Sequence, residues 1–205
     1  MLSATEKQTL REKLKLYEGN IPHMYLDSKG LVTVGVGHLL KTVQDAQKLN
    51  FLSADNKKAT AAMIKEDFDA VMKRPKNQEA NDYKPYTKLH LDAKDILLLL
   101  ELHINKFYLQ LKTNYNGFDL FPVEVKLALF DMGFNIGTFG LKTKFPTFNA
   151  AISKKDWATA ARESHRKAPV SEERNSYVKK LLEKAAQSTT KVGGVKSPVK
   201  QAGVK

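Results

Sequence analysis

The segment YEGNIPHMYLDSKGLVTVGVGHLL, residues 17–40, contains two carboxylates followed by a run in which glycine alternates with valine. Side chains of a β-strand alternate between its two faces. From Leu31 to Gly37 one face would carry three valines, and the other would carry Leu31, Thr33, Gly35 and Gly37. Glycine weakens a strand and often marks a place where a ligand or another backbone comes close. We therefore predict one strand whose face is bare around Thr33, where Gly35 and Gly37 have no side chains, so that a ligand can come close.

A hairpin turn comes before this strand. Asp27 is followed by Ser-Lys-Gly at 28–30, and Gly30 can adopt the positive φ that a three-residue hairpin loop needs. Asp27 and Thr33 would then lie on paired strands, and Glu18 would end the helix just before them. The sequence thus predicts that Glu18, Asp27 and Thr33 face one groove with a floor of glycine.

These side chains suit the hydrolysis of a glycosidic bond. One carboxylic acid protonates the leaving oxygen, and a second carboxylate activates water or attacks as a nucleophile. A threonine can hold the water. A simpler interpretation stays open for each carboxylate alone, because Glu18 can cap a helix or pair with a lysine, and Asp27 can be an ordinary turn residue.

One spaced motif runs through the segment: Glu18-Gly19, then Tyr25-x-Asp27-x-x-Gly30-x-x-Thr33-x-Gly35-x-Gly37-His38. In residue type and spacing it resembles the signature of phage-type lysozymes, glycoside hydrolase family 24. A weaker similarity to the C-terminal lobe of that family runs from Leu127 to Ala186. The resemblance implies that the glycan strands of peptidoglycan are the substrate. It also implies that Glu18 is the general acid and that Asp27 and Thr33 position the attacking water.

The resemblance extends to two residues outside the motif. By position, Arg174 is similar to the family arginine that pairs with the catalytic glutamate, and Asn135 is similar to a polar residue that contacts substrate. A surface arginine and an exposed polar residue remain the alternatives. Gly35, in the predicted groove floor, completes the expected substrate-binding set. The stretch SHRKA at 164–168 departs from the family pattern because it lacks an aromatic residue. No cofactor and no metal are implied.

The charge balance limits the class of partner. The chain has 205 residues, with 34 Lys and Arg against 22 Asp and Glu, for a formal net charge of +12. This excess favours a polyanion: nucleic acid, a membrane surface or an acidic wall polymer. The basic residues follow no nucleic-acid-reading pattern, so we expect no nucleic acid partner. No apolar run is long enough to cross a bilayer, so we expect no membrane insertion, and we expect a monomer.

The sequence also bears on location. Because the chain has no cysteine, disulfides and thiolate metal sites are excluded. The N-terminal MLSATEKQTLREK lacks the apolar core of a secretory signal. We expect synthesis in the cytoplasm without a signal peptide and action on the wall in the periplasm of a host or target cell. An endolysin and a secreted effector toxin with an immunity protein as partner both stay open.

Helical patterns dominate the remainder of the chain. Ser3–Glu6 reads SATE, a capping box that predicts the start of the first helix. After Phe121-Pro122, a helix is apolar except for a stripe of Glu124, Asp131 and Asn135, which predicts one face toward water or a cleft. Other segments are assigned from periodicity and caps: helices at 42–49 and 53–74, a loop at 76–88, and a buried helix from Asp92 to about Leu111.

These elements predict an α+β, mostly helical fold, and the resemblance implies that it is lysozyme-like. A catalytic domain at 1–186 would contain a small β-hairpin lobe at about 17–90 and a larger helical lobe at about 91–186, which includes the N-terminal helix. A long helix would join the lobes, with the cleft between them. Residues 187–205 are basic and poor in apolar side chains, which predicts a flexible basic tail.

The predicted activity is that of a muramidase, cleaving the β-1,4 bond between N-acetylmuramic acid and N-acetylglucosamine with inversion. Two alternatives stay open. An inactive wall-binding module could share the fold, although retention of Glu18, Asp27 and Thr33 together argues against it. A chitinase could use the same chemistry on a glycan with different substituents.

Overall fold

A computed structural model gives the fold of the protein and describes residues 2–192. The chain is mostly helical with one small antiparallel sheet, which confirms the predicted α+β class. The first elements are α1 (Ala4–Glu18), β1 (Ile21–Leu26), β2 (Val32–Gly35), β3 (His38–Leu39), α2 (Val43–Gln47), α3 (Ala61–Met72) and a 3₁₀-helix (Ala80–Tyr86). They are followed by α4 (Ala93–Asn114), a 3₁₀-helix (Phe118–Leu120), α5 (Val123–Ile136), α6 (Thr138–Lys144), α7 (Pro146–Lys154), α8 (Trp157–Arg162) and α9 (Glu172–Val192). Between residues 2 and 192, no helix is both long and apolar enough to cross a membrane.

The chain forms two compact units whose boundaries differ from the predicted lobes. The hairpin unit contains residues 7–106, and the helical unit contains residues 1–6 and 107–205, of which 2–6 and 107–192 are described. Most of α1 thus belongs to the hairpin unit and not to the helical lobe as predicted. The boundary falls within α4, at 106 and 107, and not near residue 90.

The sheet of the hairpin unit has the order β1-β2-β3, with both pairs antiparallel. Tyr25 pairs with Thr33 across β1 and β2, and Thr33 pairs with Leu39 across β2 and β3. The prediction of one strand over Leu31–Gly37 is wrong, because β2 ends at Gly35 and the chain turns back into β3. Thr33 consequently lies in the central strand, with a neighbour on each side.

Backbone conformation explains the two glycines of this turn. Gly35 and Gly37 have φ of +68° and +70°, which L side chains adopt only with strain. A Cβ added to Gly35 would lie 3.5 Å from Cγ2 of Ile96 on α4, whereas nothing lies within 4 Å of one added to Gly37. The prediction that Gly35 clears the floor of a groove for a ligand is therefore wrong. Gly35 serves the turn, and its open side faces the side chains of α4.

The segment between β3 and α4 follows its predicted pattern only in part. The predicted helix at 42–49 is present as the shorter α2, whose cap is Thr42: its side chain accepts a hydrogen bond from the Asp45 N–H. The predicted helix at 53–74 is too long, since α3 begins after its cap at Thr60. Ser53 instead closes a turn, in which its N–H and Oγ both donate to the Lys57 carbonyl. The predicted loop at 76–88 contains the first 3₁₀-helix.

The two long helices begin where the sequence predicts. At α1, the Ser3 N–H donates to the Glu6 carboxylate at 2.6 Å and the Glu6 N–H donates to Ser3 Oγ at 3.2 Å, which confirms the capping box. At α4, the Asp95 N–H donates to Oδ1 of Asp92 at 2.7 Å. The α4 helix runs three residues beyond the predicted end, to Asn114.

The helical unit packs α5 and α8 against α9. Its core contains large side chains that are almost fully buried: Phe118, Phe130, Phe148, Trp157, Val178 and Leu182. The prediction of a flexible tail from residue 187 is wrong for 187–192, because α9 continues to Val192. The last part of the predicted tail, 193–205, lies outside the described residues.

Candidate active site

Asp27 organises the hairpin turn. Its Oδ1 accepts hydrogen bonds from the backbone N–H groups of Lys29 at 2.8 Å and Leu31 at 2.9 Å. Gly30 closes the loop with φ of +79°, as predicted, and its N–H donates to the Asp27 carbonyl at 2.9 Å. The second carboxylate oxygen, Oδ2, has no hydrogen-bond partner among residues 2–192. Asp27 therefore performs the turn role with one oxygen and keeps the other available.

Thr33 lies on the same face of the hairpin as Asp27. Tyr25 pairs with Thr33, and Asp27 comes two residues after Tyr25, so alternation puts these side chains on one side. Diagonal positions of this kind are about 7 Å apart. Thr33 is only 3% exposed, so its face is not bare as predicted. Its hydroxyl donates to the Leu31 carbonyl at 3.0 Å, which leaves its oxygen lone pairs as acceptors.

Glu18 is the last residue of α1, at the chain position where the helix leads into the hairpin. Gly19 follows with φ of +79°, a left-handed conformation typical of helix ends. Ile21 then begins β1 and pairs with Gly35 of β2. The backbone of Glu18 therefore belongs to the same compact unit as Asp27 and Thr33.

Arg174 lies in a buried ion network of the helical unit. Its Nε donates to both carboxylate oxygens of Asp131, each at 3.1 Å, and Arg166 donates to Oδ1 of the same carboxylate at 2.8 Å. The exposed fractions are 3% for Asp131, 2% for Arg166 and 6% for Arg174. Asp131 therefore does not lie on a face toward water as the stripe predicted, and Arg174 is not a surface arginine.

Asn135 lines a cavity of about 600 Å³ within the helical unit. Its Oδ1 is buried and has no hydrogen-bond partner among the described residues. A buried amide oxygen without a partner is rare in folded proteins and commonly accepts from water or a ligand. Lys144, Arg166 and Lys167 also line the cavity, together with Phe145 and other apolar side chains. This environment suits a polar or anionic group.

The predicted site residues thus fall into two sets. Glu18, Asp27, Thr33 and Gly35 belong to the hairpin unit, and Asn135 and Arg174 belong to the helical unit. Within the hairpin unit, the strand register, continued by one pair beyond Leu26 and Val32, puts Asp27 and Thr33 at diagonal positions. Sequence reasoning missed the carboxylate partner of Arg174, because Asp131 lies 43 residues away in the chain.

A histidine pair in the hairpin unit was also missed. Nδ1 of His38, at the start of β3, lies 2.9 Å from Nε2 of His103 on α4. The ring centroids are 5.2 Å apart and the ring planes differ by 77°. Burial, repulsion from His38 and the nearby charge of Lys106 lower the pKa of His103 to about 4. Burial also lowers the pKa of His38, opposed by Asp45 and assisted by Lys106. The pair is therefore held neutral at neutral pH.

Comparisons with known proteins add no family assignment. The chain matches no protein-family model, and a search of curated proteins gives no match. Among residues 2–192, no group of three or more His, Asp or Glu side chains could hold a metal ion.

We expect Asp131→Asn to lower the free energy of unfolding by about 3–5 kcal/mol, because it removes the anion between two buried guanidinium groups. Glu124→Gln is the matched control on the same helix. Glu124 has one ion-pair partner, Lys184, and their side chains are 13% and 69% exposed, so its loss should cost clearly less than the loss of the fully buried Asp131. Urea unfolding of both variants measures the difference. Equal losses would contradict a structural role for the buried network.

We expect acid to weaken the fold through the histidine pair. A pKa of about 4 in the folded chain, below about 6.5 in the unfolded chain, means that the unfolded chain binds more protons between these pH values. Stability from this source is complete above pH 6.5 and is lost as the pH falls toward 4, by up to about 3 kcal/mol. Urea unfolding at pH 7.0, 5.5 and 4.5 should show a smaller loss for His103→Gln. His165→Gln, at a side chain 58% exposed, is the control and should keep the wild-type slope.

Proposed function

We propose that the protein is a peptidoglycan hydrolase of the lysozyme type. It would cleave the β-1,4 bond between N-acetylmuramic acid and N-acetylglucosamine in the glycan strands of bacterial walls. One observation carries the proposal: Oδ1 of Asp27 is fixed by the hairpin turn, while Oδ2 has no hydrogen-bond partner among residues 2–192. The resemblance of the Glu18–His38 motif to phage-type lysozymes gives independent support.

In the proposed mechanism, Glu18 protonates the leaving glycosidic oxygen. The free Oδ2 of Asp27 accepts a hydrogen bond from the attacking water and takes its proton as the bond to the anomeric carbon forms. Because the Thr33 hydroxyl already donates to the Leu31 carbonyl, its oxygen can only accept from the water. Two acceptors would thus orient the water so that its own lone pair points at the sugar.

The hydrogen bonds of the turn give this arrangement its rigidity. Two backbone donors hold Oδ1 of Asp27 at 2.8 Å and 2.9 Å, so the carboxylate does not reorganise when substrate binds. Groups held in place before reaction are the most effective at stabilising developing charge. The same two hydrogen bonds therefore also fix the position of Oδ2, because both oxygens belong to one planar carboxylate.

Two other functions predict different measurements. A chitinase would release products from chitin, whereas the proposed enzyme would reduce the turbidity of purified peptidoglycan. An inactive wall-binding module would bind peptidoglycan without cleaving it. Turbidity loss, product release from chitin and cosedimentation with walls, measured on one preparation, separate the three.

We expect Asp27→Asn to lower the rate of peptidoglycan cleavage by about 10²–10⁴-fold while the fold survives. An asparagine keeps an oxygen for the Lys29 and Leu31 N–H groups but removes the negative charge. The cleavage rate and the thermal unfolding midpoint are both measured. If Asp27 is only a turn residue, the variant will keep normal activity.

Two further variants complete this test. Glu18→Gln removes only the proton donor and should abolish cleavage. Asp55→Asn changes an aspartate whose side chain is 56% exposed, in another turn of the same unit, and should leave the rate unchanged. Loss of activity in all three variants without unfolding would contradict a specific role for Asp27.

We expect cleavage with inversion at the anomeric carbon. Inverting enzymes separate their two carboxyl groups by roughly 6.5–9.5 Å to admit water, whereas retaining enzymes use about 5 Å. The Thr33 hydroxyl, beside Asp27, suits the binding of a water molecule and would not assist nucleophilic attack by Asp27 itself. Proton NMR of a defined muropeptide oligomer should show the α-anomer first. Initial release of the β-anomer, or a glycosyl adduct on Asp27 in mass spectrometry, would make Asp27 the nucleophile.

A further inference from the structure

A basic surface lies on the hairpin unit where α3 ends. We define it by Lys73 and Arg74, which follow α3, by Lys76, and by Lys84 in the first 3₁₀-helix. The three lysines are exposed. Within residues 2–192, no side-chain hydrogen bond or salt bridge joins these lysines to an acid, whereas Lys65 and Lys88 nearby are paired with Asp69 and Glu66. Their positive charges are therefore not neutralised by ion pairs with the described part of the protein.

Arg74 is held in an unusual way. Its guanidinium carbon lies 4.4 Å from the centre of the Tyr86 ring, and Tyr86 is itself 44% exposed. The Nε of Arg74 is buried and has no hydrogen-bond partner, and no described residue accepts from the rest of its guanidinium group. A guanidinium group that stacks on an aromatic ring and has no carboxylate partner holds its N–H donors in a fixed orientation that suits an oxyanion. Because Nε is buried and Arg74 as a whole is partly exposed, an anion on the surface would bind the terminal N–H groups of the guanidinium.

The backbone beneath this surface is fixed by buried contacts. The hydroxyl of Tyr83, a fully buried side chain, donates to the Pro75 carbonyl at 2.7 Å. Oδ2 of Asp67 accepts from the N–H groups of Lys88 and Leu89, each at 2.9 Å. These bonds join the residues after α3 to the 3₁₀-helix, and α3 itself to the residues that follow the 3₁₀-helix. The basic surface is consequently a rigid feature of the fold.

Acidic residues within the segment do not neutralise this surface. At the start of the 3₁₀-helix, Oδ2 of Asp82 accepts from the Glu79 N–H at 3.0 Å, and the Asp82 N–H donates to the Glu79 carbonyl at 2.9 Å. Among the described residues, no hydrogen bond or salt bridge joins Glu79 or Asp82 to the Arg74 guanidinium.

The basic surface adjoins the candidate active site within the same unit. A Cβ built on Gly30 would lie 3.5 Å from Cδ and 3.6 Å from Cβ of Lys76. The aliphatic part of Lys76 thus runs along the hairpin loop, three residues from Asp27. Lys29 of the same loop is also exposed. An anion on this surface would lie beside the loop that positions the Asp27 carboxylate.

We infer that Arg74, with Lys73, Lys76 and Lys84, binds the carboxylates of the peptide stems that peptidoglycan carries along its glycan strand. The inference rests on the proposed function and extends its site. The sugars carry no free carboxylate where a stem is attached, so the stems supply the repeating negative charge nearest to the cleaved bond. Arginine forms paired, charge-assisted hydrogen bonds with carboxylates. The simpler alternative is that these cations only complement the C-terminal dipole of α3.

A pair of triple variants tests the surface at constant net charge. Lys73→Gln, Lys76→Gln and Lys84→Gln together remove charge from the basic surface. Lys41→Gln, Lys58→Gln and Lys94→Gln together remove the same charge from three other exposed lysines of the hairpin unit without ion-pair partners among the described residues. Arg74→Lys keeps the charge but removes the planar fork. Thermal unfolding confirms that each variant folds.

Two substrates separate stem recognition from glycan recognition. One is Gram-negative sacculi, which carry peptide stems and no teichoic acid, and the other is the same sacculi after the stem carboxylates have been converted to carboxamides. On sacculi, the basic-surface triple variant should raise KM by roughly five- to tenfold at nearly unchanged kcat, because its contacts affect binding and not chemistry. The control triple variant should change KM much less, and both should match wild type on sacculi with amidated stems. Equal effects of both triple variants, or an equal effect on both substrates, would overturn the inference.

A binding experiment separates failure of the inference from failure of the proposed function. The soluble probe is the free stem tripeptide, titrated into wild-type protein, Arg74→Lys and both triple variants by NMR. Binding that weakens in Arg74→Lys and in the basic-surface variant supports the inference even if no glycan is cleaved. Wild-type cleavage of sacculi without tripeptide binding would overturn the inference and keep the proposed function. Binding of a glycerol phosphate polymer but not of the tripeptide would also overturn it.

Discussion

One buried carboxylate constrains the helical unit. Asp131 accepts hydrogen bonds from Arg166 and Arg174, and all three side chains are almost fully removed from water. An isolated charge in such a place costs several kcal/mol, so each of the three residues requires the other two. Asn175 completes the arrangement, because its Oδ1 accepts from Nε of Arg166. The middle of α5, the segment before α9 and the first turn of α9 are thereby held at fixed positions around one anion. Phe130, which precedes Asp131 on α5, and Trp157 belong to the apolar core of the same unit.

The elements that sequence reasoning predicted correctly are those whose cause is local. The Ser3–Glu6 capping box and the caps at Thr42 and Asp92 are formed by residues within three positions of each other. The wrong predictions concern contacts between residues far apart in the chain, or elements too short to show a periodic pattern. Asp131 reads as a polar position on an exposed stripe, because its arginine partners lie 35 and 43 residues later. The short strand β3 has only two residues, too few for any periodic pattern.

The candidate site shows why the two interpretations of Asp27 could not be separated from sequence. A turn and a water-positioning carboxylate both favour aspartate at the same place, and in the structure Oδ1 of Asp27 stabilises the turn while Oδ2 has no partner among residues 2–192. Thr33 is similar, since its hydroxyl proton stabilises the hairpin while its lone pairs remain. Gly35 is the opposite case: the residue type was noticed, but its cause is a turn packed against α4 and not a ligand. A residue type such as glycine or aspartate indicates that a position has a special role. The contacts of that residue in the folded chain are needed to identify the role.

The register of the hairpin has a consequence for how this chain can vary in evolution. Tyr25 pairs with Thr33 and Leu26 with Val32, so the loop between them fixes which side of the sheet each following residue faces. Ser28 and Lys29 are exposed and can be exchanged freely. Insertion or deletion of a single loop residue would move every later side chain to the opposite face. The threonine would then enter the layer of buried valines, and a valine would replace it beside Asp27. Homologous chains that keep the chemistry should therefore differ in the identity of these loop residues but not in their number.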